Sequence, residues 1–380
     1  MSKMYAKRAL FITYSLFNLL ECLQIKKKFE KDTECDIILA EGHKGFKQIY
    51  ESGYLNEYFS NVYYIVGRGM TRYEKMICLF SPGMAYKHWI RGIKDVHIYT
   101  DVYFWNPDNL FYLLFMEYNH NKLPLNLHLY SDALTGWFMD SPDENAIDEQ
   151  YRVYGRRILH KFSKVKYHFK CVNEMDYDFF MYRPELSMIK HNHNIIEVPL
   201  IDTNNKDYIN YLNGLFSYNP NNVISEKYIF MDGGRASWEN IEIHNALIRD
   251  FAKIVGRNNF IVKPHPLTDI NEYDGCNVKI EQISYPWDLY CLNNSLEDKV
   301  LIAFDTSSCF LPAILYGQKP ILISVKDVLT TKDGIGYSYG RWKHLIAVSN
   351  METHELKKYT YDEISRLTEL IEKGRGDLYD

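Results

Sequence analysis

Cysteine pairs at metal-binding or redox spacing are absent from this sequence. Its 380 residues contain seven cysteines, an odd number, and no two of them form a CxxC pair. That distribution excludes a disulfide framework and a cysteine zinc site, and it is typical of reduced thiols in a reducing compartment. The seven are Cys22, Cys35, Cys78, Cys171, Cys276, Cys291 and Cys309.

Long apolar runs are also absent. No segment is long enough to span a bilayer. The first apolar run, residues 9–20, contains Thr13, Ser15 and Asn18 and continues into charged residues without a small-residue cleavage site, so no signal peptide is expected. The sequence therefore predicts a cytoplasmic protein that is either soluble or peripheral to the inner face of the membrane.

A basic excess is missing as well. The chain has 44 Lys and Arg residues against 49 Asp and Glu, a net charge of −5. This balance argues against a general nucleic-acid binder, which normally needs a basic surface to replace phosphate counterions, and leaves a local basic cleft as the alternative. One basic stretch, residues 152–166, could approach an anionic acceptor or a membrane surface; a solvated helix face is the alternative.

What remains is the composition of an ordinary globular protein, with 46% hydrophobic and 24% charged residues. A chain of 380 residues suits two domains. Tyrosine and phenylalanine are abundant, at 32 and 20 residues. Two alternatives account for this abundance: a compositional bias of the genome, or a cleft that stacks against sugars.

The first half alternates β-branched runs with helical spacing, which predicts a parallel sheet covered on both faces. We assign residues 1–150 to an N-terminal Rossmann-like domain that binds the acceptor. Its predicted strands are residues 9–14, 36–40, 61–66, 96–100 and 125–130.

Residues 151–222 lose this alternation and read as a bridge between domains, ending in the turn cluster 218–222. A C-terminal Rossmann-like domain, residues 223–380, follows. Its predicted strands are residues 228–231, 260–263, 300–304 and 320–325, and its predicted helices run from near Ser237 to Gly256, over 308–316 and over 362–373.

Four polar segments follow predicted strands, where an open parallel sheet binds its ligands. In the first, Asp232-Gly233-Gly234, paired glycines would let backbone N–H groups approach an anion before a helix begins. The segment does not fit GxGxxG, and a plain tight turn is the alternative.

The second segment is Lys263-Pro264-His265-Pro266. Two prolines fix the backbone around one imidazole and direct it from a strand end into the crevice. We expect His265 to donate to a phosphate oxygen or a leaving group; a histidine that caps a turn is the alternative.

The third segment, Asp305-Thr306-Ser307-Ser308, precedes a helix. Its hydroxyls and free N–H groups could bind an anion, and ordinary helix capping is compatible with that role. A nearby segment, residues 284–288, either packs aromatic rings near a nucleotide or forms a buried aromatic turn.

The fourth segment, Ser131-Asp132-Ala133-Leu134-Thr135-Gly136, closes a strand of the first domain. By itself Asp132 would be an ordinary turn aspartate, and its weight comes from the other three segments. A carboxylate that faces a phosphate-binding half across a cleft is placed to take a proton from an acceptor hydroxyl. Asp132 is therefore the predicted base, and Asp232 is the competing candidate because it also follows a strand.

Together these segments resemble the bacterial polysialyltransferase and lipooligosaccharide sialyltransferase families. His265-Pro266 matches their His-Pro motif and Ser307-Ser308 their later Ser/Thr-rich motif. The acidic motif is matched in part, because Ser131-Asp132-Ala133 keeps one carboxylate and replaces the partner acid and the glycine. The similarity covers most of the second domain but only that segment and the opening strand of the first.

The resemblance implies an α/β protein of GT-B type, with two Rossmann-like domains facing each other across a cleft. It implies an inverting, metal-independent transfer of sialic acid from CMP-sialic acid to a hydroxyl of a cell-surface glycan, lipooligosaccharide or capsule, with no cofactor. Asp132 and His265 would be catalytic. The protein could also form a homodimer. The implied donor-binding residues are Asp232, Gly233, Gly234, Lys263, Pro266, Thr306, Ser307 and Ser308.

Two other functions fit the same segments. The first is a transferase that uses CMP-Kdo, CDP-glycerol or a UDP-sugar on this scaffold. The second is a non-catalytic nucleotide- or glycan-binding subunit that kept the fold and lost the base, which the altered Ser131-Asp132-Ala133 motif would explain.

Overall fold

Two parallel sheets organise the chain. The computed structural model describes residues 7–40, 45–65, 71–78, 81–90, 92–105, 109–131, 134–138, 176–233, 241–266, 268–329 and 338–376. The chain divides into two units, Met1–Asp202 and Thr203–Asp380, and each contains one sheet with helices between its strands. The prediction of two α/β domains with parallel sheets is confirmed.

The first sheet has the strand order β3-β2-β1-β4-β5-β6-β7, and each neighbouring pair is parallel. The first strand is central, and the order reverses between β1 and β4, as in dinucleotide-binding sheets. The strands are β1 Arg8–Thr13, β2 Glu34–Ala40, β3 Asn61–Ile65, β4 Asp101–Phe104, β5 Asn126–Tyr130, β6 Asp178–Met181 and β7 Asn194–Glu197. The described helices are α1 Leu16–Phe29, α2 Phe46–Ser52, α3 Arg72–Cys78, α4 Pro82–Trp89 and α5 Asn109–Asn121.

The second sheet repeats this order as β10-β9-β8-β11-β12-β13, again with parallel neighbours. Its strands are β8 Tyr228–Met231, β9 Phe260–Lys263, β10 Lys279–Ile280, β11 Val300–Ala303, β12 Ile321–Ser324 and β13 Thr353–Glu355. The described helices of this unit are α6 Lys206–Leu215, α7 Ile241–Val255, α8 Trp287–Asn293, α9 Leu311–Tyr316, α10 Tyr339–Ser349 and α11 Tyr361–Gly376.

The central strands of the second sheet are buried throughout, which is why they read as continuous apolar runs. Alternate side chains go to opposite faces. Phe260 and Val262 of β9 join the core that includes residues of α7 and α11. Ile261 and Lys263 therefore lie on the other face, where the Trp287 ring of α8 is found.

The predicted strand at residues 96–100 is wrong: β4 begins at Asp101. The carbonyls of Val96 and Tyr99 accept hydrogen bonds from the Tyr118 hydroxyl, at 2.8 and 2.6 Å. Asp101 enters the sheet although it is acidic, because its buried carboxylate accepts hydrogen bonds from Thr100, Asn126 and His128. The last two partners are distant in sequence, so the local pattern could not indicate them.

The predicted bridge, residues 151–222, contains structure that belongs to both units. β6 and β7 extend the first sheet, whereas α6 lies in the second unit. There Asn213 of α6 exchanges two hydrogen bonds of 2.9 Å with Asn293 of α8. The basic stretch at residues 152–166 lies outside the described residues, as does the predicted helix start at Ser237.

Five cysteines whose side chains the structure describes are free and buried: Cys22, Cys35, Cys276, Cys291 and Cys309. Burial raises the pKa of the Cys291 and Cys309 thiols well above its ordinary value. Among the described residues no helix is long and apolar enough to cross a membrane.

Candidate functional site

The second sheet brings three of the four predicted segments to one edge. β8 lies between β9 and β11, and all three strands are parallel, so the residues that follow them meet at the carboxyl edge. The Asp232 N–H donates to the Lys263 carbonyl at 3.1 Å, which ties the first two segments together. This edge is also the point at which the strand order reverses, where ligands bind in open α/β sheets.

Gly233 fits this edge because it has no side chain. A Cβ at this position would lie 2.5 Å from the Phe304 carbonyl oxygen and 2.9 Å from that of Asp305. No other residue permits this approach of the β8 and β11 loops. Gly233 therefore joins two segments of the site, and Gly234 lies outside the described residues.

Asp305 turns the chain sharply after β11. Its φ of +53° lies in the left-handed region, which costs a residue other than glycine about 1–2 kcal/mol. The carboxylate is buried and pairs with the Lys326 ammonium at 2.8 Å, which holds this conformation. Lys326 was not predicted, although it follows β12 as Asp305 follows β11, and the rule of examining strand ends could have found it.

The turn presents two serines. The Thr306 hydroxyl accepts a hydrogen bond of 3.4 Å from the Ser308 N–H, so Thr306 caps the short turn Ser307–Cys309 that leads into α9. Ser307 and Ser308 are partly exposed, and within the described part of the chain neither hydroxyl makes a hydrogen bond. Both hydroxyls can therefore bind a ligand.

Lys263 places a buried cation at the same edge. Its side chain is only 5% exposed, and its ammonium lies 5.4 Å from the centre of the Trp287 ring. Burial lowers the pKa of Lys263 to about 8, against the opposing effects of the Cys291 thiol and the carboxyls of Asp232 and Asp288. It makes no ion pair or hydrogen bond with the described residues. Such a group is costly to bury and is a candidate for an anion-binding role.

Asp288 lies in the first turn of α8 and is, with Asp232, one of the two carboxyls that act on Lys263. It is buried and accepts a hydrogen bond of 3.3 Å from the Tyr316 hydroxyl. Burial raises the pKa of its carboxyl to about 6. Tyr285 and Trp287 are also buried, in line with a buried aromatic turn over residues 284–288, and the Trp287 ring lies at the edge that carries Lys263.

The carboxylate of Asp232 has a partner that the sequence did not indicate. Asp232 is buried and accepts a hydrogen bond from the Tyr273 hydroxyl, 41 residues away. No local pattern links the two residues. The hydrogen bond holds the Asp232 carboxylate, whose negative charge raises the pKa of Lys263 against the larger, lowering effect of burial.

His265 lies in a turn at this edge, as the sequence predicted. Its carbonyl accepts a hydrogen bond of 2.9 Å from the Thr268 N–H, Pro264 is buried, and Pro266 is exposed. The His265 side chain is partly exposed. It is therefore accessible from solvent, in contrast to the neighbouring Lys263.

Asp132, the predicted base, lies outside the described residues, together with Ala133. The chain around them is held against the first sheet. The Ser131 N–H donates to the Phe180 carbonyl at 3.0 Å, and the buried Trp137 ring donates to the Tyr182 carbonyl at 2.9 Å. These contacts anchor both ends of the segment that carries Asp132.

No family model matches the sequence, and no curated protein matches it. Solved structures do align with nearly the whole chain, at low identity. A UDP-GlcNAc 2-epimerase from Neisseria meningitidis, bound to UDP-GlcNAc, is 13% identical, with 97% of this chain and 92% of that chain covered and a TM-score of 0.48.

Two transferases give similar values. The calicheamicin glycosyltransferase is 9% identical, with coverages of 96% of this chain and 90% of that chain and a TM-score of 0.47. The spinosyn forosaminyltransferase is 11% identical, with coverages of 94% and 88% and a TM-score of 0.48. At such values the likeness assigns no function to this chain.

Proposed function

We propose that the second unit binds the phosphate of a nucleotide-activated sugar and that the protein is an inverting, metal-independent glycosyltransferase of GT-B type. The proposed donor is CMP-sialic acid, and the proposed acceptor is a hydroxyl of lipooligosaccharide or capsule. The observation that carries the proposal is the Lys263 ammonium, which is buried at the strand-order reversal without an ion pair in the described residues. A bound phosphate would supply the missing negative charge.

The other residues of the edge suit the same ligand. Ser307 and Ser308 offer hydroxyl donors, and the accessible His265 ring can protonate or stabilise the departing CMP phosphate. In a preorganised site, each hydrogen-bond donor that points at the charge developing in the transition state lowers the activation free energy by about 3–4 kcal/mol. CMP carries less charge than a nucleoside diphosphate, so these groups can act without a metal.

In the proposed reaction the acceptor oxygen attacks the anomeric carbon while the bond from that carbon to the CMP phosphate oxygen breaks. Asp132 takes the acceptor proton, and CMP leaves with the bonding electron pair. We propose Asp132 rather than Asp232 as the base, because the Asp232 carboxylate is buried and accepts a hydrogen bond from Tyr273.

The deciding experiment is a donor screen. Purified protein is incubated with CMP-sialic acid, CMP-Kdo, CDP-glycerol or UDP-sugars, and nucleotide release is followed with and without EDTA. The variants are His265→Ala and Asp132→Ala, and the matched control is His354→Ala, which removes an imidazole from β13 at the edge of the same sheet.

EDTA-resistant release of CMP from CMP-sialic acid, lost in the first two variants and kept in the control, is the expected result. Nucleotide release from another donor would change the proposed donor and leave the proposed phosphate site unchanged. Thermal stabilisation by a nucleotide without turnover would favour a binding subunit, and activity in His265→Ala equal to wild type would remove that residue from the chemistry.

A further inference from the structure

Large apolar side chains are exposed on two neighbouring helices of the first unit. Tyr73 and Met76 of α3 and Met84 of α4 are 58%, 60% and 62% exposed. They are three of the four most exposed large hydrophobic residues in the described part of the chain. A monomeric protein gains nothing from presenting them to water, so their grouping is informative.

The three side chains belong to one continuous surface. Tyr73 and Met76 are three residues apart on α3 and share a face of that helix. The Tyr73 ring packs edge-on against the His88 ring of α4, with the ring centres 5.6 Å apart. Met84 and His88 are four residues apart on α4 and share a face as well. Tyr73, Met76, Met84 and His88 form what we call the α3–α4 face.

Exposed cations flank this face. Arg72 and Lys87 are both exposed, and neither makes an ion pair with the described residues. Glu74, between them, is buried and engaged with His88 Nδ1 at 2.8 Å and the Thr71 N–H at 2.7 Å. Residues 71–95 contain five Lys and Arg against two acidic residues, whereas the whole chain has a net charge of −5.

We propose that the α3–α4 face docks on an anionic lipid surface. Apolar tips that enter the boundary between headgroups and acyl chains, beside cations that attract anionic headgroups, are the features of interfacial helices. A protein partner or a second copy is disfavoured, since a stable interface buries about 800 Å² per partner, more than three side chains on helices of seven and eight residues supply. The proposal is independent of the donor chemistry.

The test is sedimentation of the purified full chain with vesicles of phosphatidylcholine alone or of phosphatidylcholine mixed with phosphatidylglycerol. We expect binding to the mixed vesicles that weakens with salt. Met76→Ser with Met84→Ser should weaken binding about tenfold or more, and Arg72→Gln with Lys87→Gln about 25-fold, at roughly fivefold per cation. Met188→Ser, an exposed methionine outside this face, is the matched control.

Each variant is first checked for an unchanged melting temperature and unchanged nucleotide release from a soluble donor, which separates docking from folding and chemistry. Equal binding to both vesicle types, no binding to either, or variants that bind as wild type would overturn the proposal. A concentration-dependent dimer that the α3–α4 variants dissociate, in a protein that ignores vesicles, would assign the face to a second copy instead.

Discussion

At the carboxyl edge of the first sheet, β1 passes into α1 without a glycine. Thr13 is buried, and the Ser15 hydroxyl accepts a hydrogen bond of 3.0 Å from the Asn18 N–H, so the start of α1 is closed by its own cap. At the same edge of the second sheet, β8 passes into Gly233, which lies against the carbonyls after β11, and the next strand ends in the buried Lys263.

The two sheets share one strand order, but different residues follow the strands at their carboxyl edges. Topology places a crevice where the order reverses in each sheet, and the residues decide whether an anion can bind there. In the first sheet the Ser15 hydroxyl already accepts a hydrogen bond from a backbone N–H in the first turn of α1. In the second sheet Gly233 lies against two backbone carbonyls, and the buried Lys263 ammonium makes no ion pair with the described residues. This contrast supports our proposal that the nucleotide phosphate binds in the second unit.

Gly233→Ala should give the largest effect. The new Cβ would meet two carbonyl oxygens at 2.5 and 2.9 Å, so one of the two loops must move. We expect the free energy of unfolding to fall by about 2–3 kcal/mol, as in overpacked cores. Affinity for CMP, measured by calorimetry with UDP tested beside it, should fall about a hundredfold, because displaced groups lose hydrogen bonds to a charged ligand.

Gly317→Ala is the matched control. Gly317 has a φ of +70°, and no atom of the described residues lies within 4 Å of an added Cβ, so the change adds backbone strain of about 1 kcal/mol and no clash with them. Its CMP affinity should equal that of wild type. If Gly233→Ala also bound CMP as wild type does, the approach of the two loops would have no role in binding.

Lys263 gives the second effect. Lys263→Met should lower CMP affinity about 10- to 100-fold, the loss expected for one charge-assisted hydrogen bond. It should lower the melting temperature little, because a buried ammonium that has no ion pair in the described part of the chain costs free energy in the folded protein. A large loss of stability with unchanged CMP affinity would make the residue structural.

The pH dependence of binding tests the same group in the intact protein. The pKa of Lys263 is lowered to about 8, so the cation loses its proton as pH rises through that value. CMP affinity should therefore fall about tenfold per pH unit above 8. The groups that face Lys263 are Asp232, Asp288 and Cys291. Lys263→Arg keeps its charge at these pH values and should remove this alkaline decrease; a decrease that persists would assign it to another group.

The contrast between the two edges also separates what the sequence predicts from what it cannot. β8 and β9 were predicted at their observed bounds because both are apolar runs buried on two faces. β10 and β13, of two and three residues, were missed since so short a segment carries no periodicity. The strand at Asp101 was misplaced because its acid is satisfied by partners far along the chain.

At the site, the strand-end rule indicated which segments meet but not how they are held. The Lys-Pro-His-Pro segment was found from its prolines, yet the burial of Lys263 depends on α8, which packs from another part of the chain. The left-handed conformation of Asp305 depends on Lys326, 21 residues later. Local patterns give the place of a parallel-sheet site, whereas its charge balance is set by tertiary contacts.

Ser15→Ala should give the smallest effect and test the comparison from the first unit. Loss of the cap on α1 should lower the free energy of unfolding by about 1 kcal/mol, measured by urea denaturation. CMP affinity should stay at the wild-type value, since the cap serves only the helix in the first unit. If Ser15→Ala weakened CMP binding without a loss of stability, this hydroxyl would contact the nucleotide. The first edge would then share in the site, and the contrast between the two sheets would not hold.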